Sequence, residues 1–392
     1  MVLARTLEVE VSALLAESTR IDPSLLSRDG AGAELLPPRR SVRFGKLPPP
    51  PPIFVGRDQS VATLRTGLTR GSSPGQPATL QVLAAVHGWP GVGKTTLAGW
   101  LARDSELETH FPDGVLWCTL GQTPDLRAEL RSWCRTAGVV VSDAKSESER
   151  DLSERLAYFL REKRVLLIVD DLWDAAHLEL LRVGGSGSAM LVTTRQLRLA
   201  DEIGLAGQVY RLGVLNEEHA FELFGALAPE VAAAHPEACA DLLAALEGLP
   251  LAIHVAARLL RAETRRGFDP ADLLRELRVD ARRVYESTAP ATVEGGSTPT
   301  VERLLSKSTE LLDETTRIRF AILGELASKP AVFDTAAVSA AWDEPDPRLT
   351  LAEFVDRGLL ELVEPGLYQM HAVLTLHANS LWDAFDADEA PA

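Results

Sequence analysis

Apolar and polar residues follow two different patterns along the chain, and the first of them covers residues 53–214. Runs rich in apolar residues in this part predict buried strands at Leu80–Val86, Gly114–Leu120, Arg164–Asp171, Met190–Arg195 and Val209–Leu212. Apolar residues at helical spacing predict the helices Gln59–Leu68, Thr96–Ala102, Leu126–Ala137 and Asp151–Leu160. Strands without alternating polar positions are typical of a parallel sheet covered on both faces. Residues 53–214 are therefore predicted to form an α/β domain.

The second pattern begins at Asn216, a favourable helix N-cap after which strand-like runs stop. Residues 215–288 carry helical spacing alone and are predicted to form an all-α domain. Residues 289–300, rich in Ala, Thr, Gly and Pro, are predicted to be a linker. The pattern in residues 301–386 predicts three helices at Thr315–Leu326, Asp334–Trp342 and Leu349–Arg357. A hairpin is predicted at Leu359–His371 and a last helix at Ala372–Trp382. Three helices followed by a hairpin indicate a winged-helix domain.

The first 52 residues carry weaker signals. Leu7–Leu15 is consistent with a short amphipathic helix, and Arg28–Arg40 with a linker. The five prolines Pro48–Pro52 predict a stiff polyproline II segment. We interpret this segment as a spacer at a domain boundary, with an SH3-type ligand as the alternative.

Composition and charge exclude several classes of function. A chain of 392 residues is long enough for two to four compact units. Its 40 basic and 56 acidic residues give a net charge of −16, which disfavours non-specific binding to nucleic acid or to anionic membranes. The three cysteines, Cys118, Cys134 and Cys239, lack metal-ligand spacing and are expected to be buried thiols. With neither a signal-peptide core nor a membrane-spanning run, the expected location is the cytoplasm.

The stretch from Gly88 to Thr95 fits the P-loop pattern G-x-x-x-x-G-K-[ST], and its glycines are Gly88, Gly91 and Gly93. A strand is predicted before it and a helix after it, so backbone N–H groups and a helix N-terminus would face an anion. Lys94 is then placed to reach the β- and γ-phosphates, and the Thr95 hydroxyl to complete the coordination of Mg²⁺. The alternative is a chance glycine-rich turn. The motif predicts binding of a nucleoside triphosphate or diphosphate.

Two further strands end in residues suited to nucleotide chemistry. Asp170 and Asp171 follow five consecutive apolar residues, at the strand end where open α/β sheets bind ligands. Asp170 is predicted to hold Mg²⁺ through water, and Asp171 to act as the base that orients or deprotonates water. Arg195 ends the next strand and is predicted to sense a γ-phosphate. The alternatives are a plain Asp-Asp turn and a surface arginine.

Taken together, these motifs resemble the NB-ARC family of STAND-class P-loop ATPases, the switch modules of plant disease-resistance receptors, the animal apoptosome protein and bacterial relatives. The resemblance covers roughly residues 53–385, and the motifs that carry it are Val55–Asp58, Gly88–Thr95, Leu166–Asp171, Leu191–Arg195, Gly248–Ala252 and Met370-His371.

The resemblance implies a nucleotide site built from several parts of the chain. Val55 and Arg57 would lie beside the adenine and ribose. Phosphates would be bound by Gly88, Gly91, Val92, Gly93, Lys94, Thr95 and Thr96. Pro250 would close over the adenine, and His371 would contact the β-phosphate and lock the ADP state. The resemblance also implies ATP or ADP with Mg²⁺ as the bound group, and catalytic roles for Lys94, Asp171 and Arg195.

The chain departs from the family in two respects. Ala372 stands where the family has the aspartate of Met-His-Asp. Neither an N-terminal effector domain nor a C-terminal repeat array is recognisable, so the chain is expected to be a fragment or a switch that takes sensor and effector functions from protein partners. Nucleotide-dependent homo-oligomers are also implied.

The leading hypothesis is an ATP/ADP switch with an ADP-bound closed state, an ATP-bound open state competent for assembly, and slow hydrolysis. One alternative is a winged-helix DNA-binding regulator, although Arg348 and Arg357 are the only cations in residues 334–358. Another is an ADP-binding scaffold without hydrolysis, which the intact Lys94, Asp170 and Asp171 disfavour.

Overall fold

The computed structural model describes residues 47–69, 81–87, 90–141, 147–203, 209–287, 299–326 and 331–389. The predicted N-terminal helix Leu7–Leu15, the linker Arg28–Arg40 and the first glycine of the P-loop, Gly88, lie outside these ranges. So does most of the predicted linker 289–300, whose last two residues belong to a helix.

Five parallel strands form a sheet in the part that was predicted as α/β. The strands are β1 (Gln81–His87), β2 (Gly114–Thr119), β3 (Val165–Leu172), β4 (Ala189–Thr194) and β5 (Val209–Arg211). Their spatial order is β2-β3-β4-β1-β5, and every neighbouring pair is parallel. The helices of this part are α1 (Asp58–Thr69), α2 (Lys94–Leu101), α3 (Ser105–His110), α4 (Leu126–Ala137), α5 (Glu149–Leu160), α6 (Ala175–Leu181) and α7 (Leu197–Ile203).

Strands β3 and β4 are buried on both faces, as their apolar sequences require. All eight residues of β3 are buried, and their side chains alternate between two cores. Leu166 and Ile168 belong to the core that contains α1 and α2. Leu167 and Val169 belong to the core that contains α4–α7. Because β3 and β4 are parallel neighbours, their carboxyl ends lie side by side at one edge of the sheet, next to the start of α2.

An all-helical region follows β5. It consists of α8 (Glu217–Leu227), α9 (Pro229–Ala234), α10 (Pro236–Ala245), α11 (Pro250–Arg265) and α12 (Pro270–Ser287). As predicted, the side chain of Asn216 caps α8 by accepting a hydrogen bond from the backbone N–H of His219 at 2.8 Å. Gly248 has a φ of +65°, and a Cβ at this position would lie 2.2 Å from the carbonyl oxygen of Leu215. Only glycine allows this close approach, which brings the start of α11 beside the start of α8.

The last part is the predicted winged helix, with one helix and one strand more than expected. Its elements are α13 (Pro299–Glu310), α14 (Glu314–Leu326), β6 (Ala331–Asp334), α15 (Thr335–Trp342), α16 (Arg348–Asp356), β7 (Glu361–Glu364), β8 (Leu367–Met370) and α17 (Ala372–Glu389). The additional helix is α13, and the additional strand, β6, pairs antiparallel with β8, so the sheet order is β6-β8-β7. The predicted fold class, a P-loop domain followed by an all-α region and a winged helix, is confirmed.

A buried ion-pair network joins the helical region to the winged helix. Arg357, at the end of α16, has no exposed surface. Its Nη2 lies 3.0 Å from a carboxylate oxygen of Glu263 on α11, and its Nε lies 3.1 Å from one of Glu353. Arg266 contacts both of these glutamates. We refer to these four residues as the α11–α16 network.

The cysteines are free thiols, and all three of them are buried, as predicted. Among the described residues, no helix combines the length and the apolar character needed to cross a bilayer.

Candidate functional site

Two adjoining cavities lie where the P-loop domain, the helical region and the winged helix meet. We call the first the apolar cavity, because most of its wall is hydrophobic, including Phe54, Val55, Leu215, Leu223, Leu227, Pro250 and Leu251. We call the second the polar cavity, because the P-loop and the polar ends of β3 and β4 line it, with Lys94, Thr95, Asp170, Asp171, Thr193 and Arg195. The structure thus brings together nearly all of the described residues predicted for the site.

The P-loop forms the floor of the polar cavity. Gly91 and Gly93 have φ angles of +77° and +98°, values that favour glycine. Gly93 is the N-cap of α2, so Lys94 and Thr95 occupy its first turn and the helix N-terminus opens into the cavity. Free N–H groups and the helix dipole at this point attract an anion. Burial and the nearby Arg195 lower the pKa of Lys94 to about 8.

Asp170 is held at the end of β3 by two hydroxyl groups. Thr95 Oγ1 donates to its two carboxylate oxygens at 2.9 and 3.1 Å, and Thr193 Oγ1 donates to Oδ1 at 2.6 Å. Burial raises the pKa of Asp170 to about 6, although both threonine hydrogen bonds oppose the shift. The carboxylate is therefore fixed in orientation beside Thr95, but its charge is poorly solvated.

Replacing Asp170 with asparagine should stabilise the nucleotide-free protein. The folded-state pKa of about 6 exceeds the ordinary value of 3.8, so the folded state binds more protons than the unfolded state between these two values. The free energy of unfolding therefore falls as the pH rises from 3.8 to about 6, because the folded state must then bury the ionised Asp170 carboxylate. At pH 7.5 we expect Asp170→Asn to gain roughly 2–3 kcal/mol, since one pKa unit corresponds to about 1.4 kcal/mol.

Thermal unfolding at pH 5 and at pH 7.5 measures this effect. The gain should be smaller at pH 5, and Asp201→Asn, at an exposed position of α7, serves as the control. An equal change at both pH values, or a loss of stability, would contradict the electrostatic interpretation.

Asp171 and Arg195 form an ion pair on the other side of the polar cavity. The distance between Arg195 Nε and Asp171 Oδ1 is 3.1 Å, and both side chains are about one-tenth exposed. The Arg195 guanidinium also lies 5.7 Å from the ring centre of Trp173, a cation–π distance. Its Nη1 is buried and has no hydrogen-bond partner among the described residues. Asp171 has a φ of +53°, a strained value for a residue other than glycine.

Val55 and Pro250, for which the resemblance implies positions beside the adenine, both line the apolar cavity. Arg57 lines it too, but its guanidinium is engaged by the backbone. Nη2 donates to the carbonyl oxygen of Val92 at 2.9 Å, and Nη1 to that of Gly213 at 2.7 Å. Burial lowers the pKa of Arg57. Its evident contribution is therefore to tie the P-loop to the segment after β5.

Thr96 and His371 line both cavities. His371 Nδ1 accepts a hydrogen bond from the backbone N–H of Val373 at 3.2 Å. Desolvation of the ring by the surrounding protein lowers the pKa of His371 to about 4, and the positive charges of Arg195 and Lys94 add to this shift. The ring is therefore neutral at pH 7. Because Nδ1 accepts, the proton of the neutral ring is on Nε2, which can donate to a ligand.

Several residues of the site were not predicted. Pro48–Pro52, interpreted above as a spacer, lies against α2 and contributes walls to both cavities. Arg103 donates to the carbonyl oxygen of Pro48, and the ring of Phe54 stacks on Trp100 at a centroid distance of 4.2 Å. Glu361 and Gln369 of the hairpin also line both cavities. A proline run has no periodicity that points to a packed position, and the hairpin reaches the site only through tertiary structure.

The described residues fit a nucleotide with a divalent cation. A nucleotide has an apolar base and anionic phosphates, and the two cavities differ in the same way. The unsatisfied Nη1 of Arg195 and the N-terminus of α2 are donors for phosphate oxygens. No group of three or more His, Cys, Asp or Glu side chains in the described ranges could hold a metal. Thr95 and Asp170 instead offer the oxygen ligands of Mg²⁺, which usually takes its remaining ligands from phosphates and water.

Comparisons with known proteins identify the family of the domain that contains the P-loop. The NB-ARC domain family matches residues 57–233. Regulatory protein AfsR of Streptomyces griseus is 32% identical over 402 residues, covering 96% of this chain and 38% of that protein. Apoptotic protease-activating factor 1 of Danio rerio is 30% identical over 233 residues, covering 56% of this chain and 18% of that protein. The chain thus spans little more than a third of the length of this AfsR protein.

Among solved structures, a Signal Transduction ATPase with Numerous Domains (STAND) protein from Pyrococcus horikoshii, which has a tetratricopeptide repeat sensor, is similar. The TM-score is 0.55 at 15% identity, covering 89% of this chain and 47% of that chain, and this likeness concerns the fold alone. The P-loop site and the sequence relatives lead to the same assignment. The chain carries an NB-ARC domain, a nucleotide-binding module, and is related in sequence to the AfsR regulators and to apoptotic protease-activating factor 1.

Proposed function

We propose that this chain is an ATP/ADP-dependent regulatory switch of the cytoplasm. ADP with Mg²⁺ would hold the P-loop domain, the helical region and the winged helix together. ATP would loosen the winged helix and permit assembly with protein partners or with further copies of the chain. Hydrolysis would be slow and would reset the switch. The three unpaired cysteines are in keeping with a reducing compartment.

The observation that carries the proposal is the composition of the cavity walls, because all three regions contribute to them. The P-loop domain supplies Lys94 and Thr95, the helical region Pro250, and the winged helix His371. Leu251 at the start of α11 also donates its backbone N–H to the carbonyl oxygen of Gly91, at 3.2 Å. A ligand that contacts every region changes the relative stability of their arrangements whenever its contacts change.

His371 would favour ADP through its neutral ring, whose Nε2–H can donate to a β-phosphate oxygen. Thr95 and Asp170 would hold Mg²⁺, which would neutralise phosphate charge. Lys94 would bind the β- and γ-phosphates, and Asp171 would orient the attacking water.

Arg195 would distinguish ATP from ADP. Its guanidinium is paired with Asp171, so Oδ1 of Asp171 is already engaged and less available to an attacking water. A γ-phosphate would compete with Asp171 for the same guanidinium, since charge-assisted hydrogen bonds to phosphate are strong. This competition links the identity of the nucleotide to the availability of the base.

The proposal is tested by identifying the nucleotide that remains bound after purification and by measuring particle mass in ADP and in ATP with Mg²⁺. We expect bound ADP and a monomer, and a larger particle with ATP. Turnover of ATP at the rate of a metabolic enzyme, without a partner, would contradict the switch.

Replacing His371 with alanine should accelerate ADP release. A hydrogen bond to a charged group contributes about 1.5–3 kcal/mol, so the dissociation rate should rise roughly tenfold to hundredfold. Displacement of a fluorescent ADP analogue measures this rate. His110→Ala is the matched control because His110 lies at the end of α3 and lines neither cavity. Equal release rates for both variants would remove His371 from the proposed lock.

Binding of nucleic acid by the winged helix is disfavoured by the surroundings of its cations. In residues 334–358, Arg357 is fully buried in the α11–α16 network. Arg348 is exposed but pairs with Asp346 at 2.6 Å. A salt-sensitive gel shift with duplex DNA would favour this alternative function.

A further inference from the structure

The apolar and polar cavities meet at a seam to which the winged helix contributes three polar side chains. The residues that line both cavities are Pro51, Gly91, Gly93, Thr96, Glu361, Gln369 and His371. Any ligand that places one end in each cavity passes these residues. The sugar is the part of a nucleotide between its base and its phosphates, so the seam is where a ribose would lie.

The hairpin geometry places Glu361 and Gln369 side by side. They are cross-strand partners in the antiparallel register of β7 and β8. His371 follows directly after the end of β8 and lines both cavities together with Glu361 and Gln369. His371 is the one of the three on the phosphate side, where Lys94 and Arg195 influence its pKa.

We propose that Glu361, assisted by Gln369, binds the ribose hydroxyls and thereby selects ribonucleotides. The inference rests on the proposed function, because it requires a nucleotide that spans both cavities. An ionised carboxylate has two acceptor oxygens and no donor, which matches the two hydroxyl donors of a ribose. It is unsuited to phosphates, which it would repel.

The electrostatic surroundings of Glu361 support this assignment. The Glu361 side chain is exposed on β7, and its two oxygens can accept hydrogen bonds from a ligand in the cavities. The protein around it raises the pKa of its carboxyl group by desolvation, and the positive charge of Arg258 opposes that shift. Hydrogen bonds to a charged acceptor are the strong ones. The 2′- and 3′-hydroxyls would supply the donors, and the winged helix would sense the sugar as well as the phosphates.

The test is the affinity for ADP, 2′-deoxy-ADP and 3′-deoxy-ADP, measured by calorimetry with Mg²⁺. The wild type should bind ADP roughly tenfold to hundredfold more tightly than at least one deoxy analogue, as expected for a charged acceptor left without its donor. In Glu361→Ala, ADP affinity should fall to that of the analogue, and the preference should disappear. Glu361→Gln should keep part of it, because the amide retains an acceptor oxygen.

Glu364→Gln is the matched control, on the same strand but lining neither cavity. Equal binding of all three nucleotides by the wild type would overturn the inference alone. So would tighter binding of all three by Glu361→Ala, which would indicate that Glu361 repels phosphates. Failure of the wild type to bind ADP would overturn the proposed function, and this inference with it.

Discussion

Lys94→Ala is expected to lower the affinity for ATP by about a thousandfold. The ammonium group is placed at the N-terminus of α2 in a largely buried position, where burial and Arg195 lower its pKa to about 8. Two hydrogen bonds to phosphate oxygens from such a group contribute about 1.5–3 kcal/mol each, and a thousandfold change corresponds to about 4 kcal/mol. ADP should lose less, because it lacks the γ-phosphate.

Equilibrium binding of ATP and ADP measures these losses, with Lys163→Ala as the control at a surface position. Thermal unfolding of the nucleotide-free Lys94→Ala protein shows whether the variant is folded under the conditions of the binding measurement. A variant that binds ATP within threefold of the wild type would argue against a P-loop site.

Arg357→Ala is expected to destabilise the protein by about 3–5 kcal/mol, the cost of breaking a buried ion pair by removing one partner. The substitution would leave Glu263, which is only 5% exposed, without one of its two cationic partners. It would also remove a fully buried side chain between α11 and α16. Thermal and urea unfolding measure the loss.

Two variants separate electrostatics from packing at the α11–α16 network. Arg357→Met combined with Glu263→Met should recover most of the stability, because apolar replacements of similar volume tolerate burial. Arg348→Ala, which breaks an exposed pair, should leave unfolding unchanged. If Arg357→Ala behaved like Arg348→Ala, the network would have no role in holding the winged helix.

Much of the fold could be predicted from local patterns. The apolar run before Asp170 and the glycines before Lys94 are short-range signals, and a parallel sheet gathers such strand ends at one edge. Helices α3, α6, α7 and α9 were missed because their six or seven residues are too few for a helical period. Helix α13, with twelve residues, was also missed, and it begins inside the predicted linker 289–300. Strand β6 was missed because its four residues are too few for a clear pattern.

The rest of the candidate site depends on contacts between distant segments. Glu361 and Gln369 acquire their significance only where the hairpin meets the P-loop. Arg357 has the sequence context of an exposed helix end, yet it is fully buried and contacts Glu263 of α11. Charge and periodicity describe a single helix, whereas burial is decided by the helix that packs against it.

The proline segment 48–52 has a practical consequence for experiments on this domain. The NB-ARC family match begins at residue 57. The first residue that lines the polar cavity is Pro48, and the first that lines the apolar cavity is Pro51. A recombinant protein that begins at residue 57 would lose these walls and also Phe54, whose ring stacks on Trp100. Weak nucleotide binding by such a fragment would then result from the missing cavity walls, and the intact protein would bind more tightly.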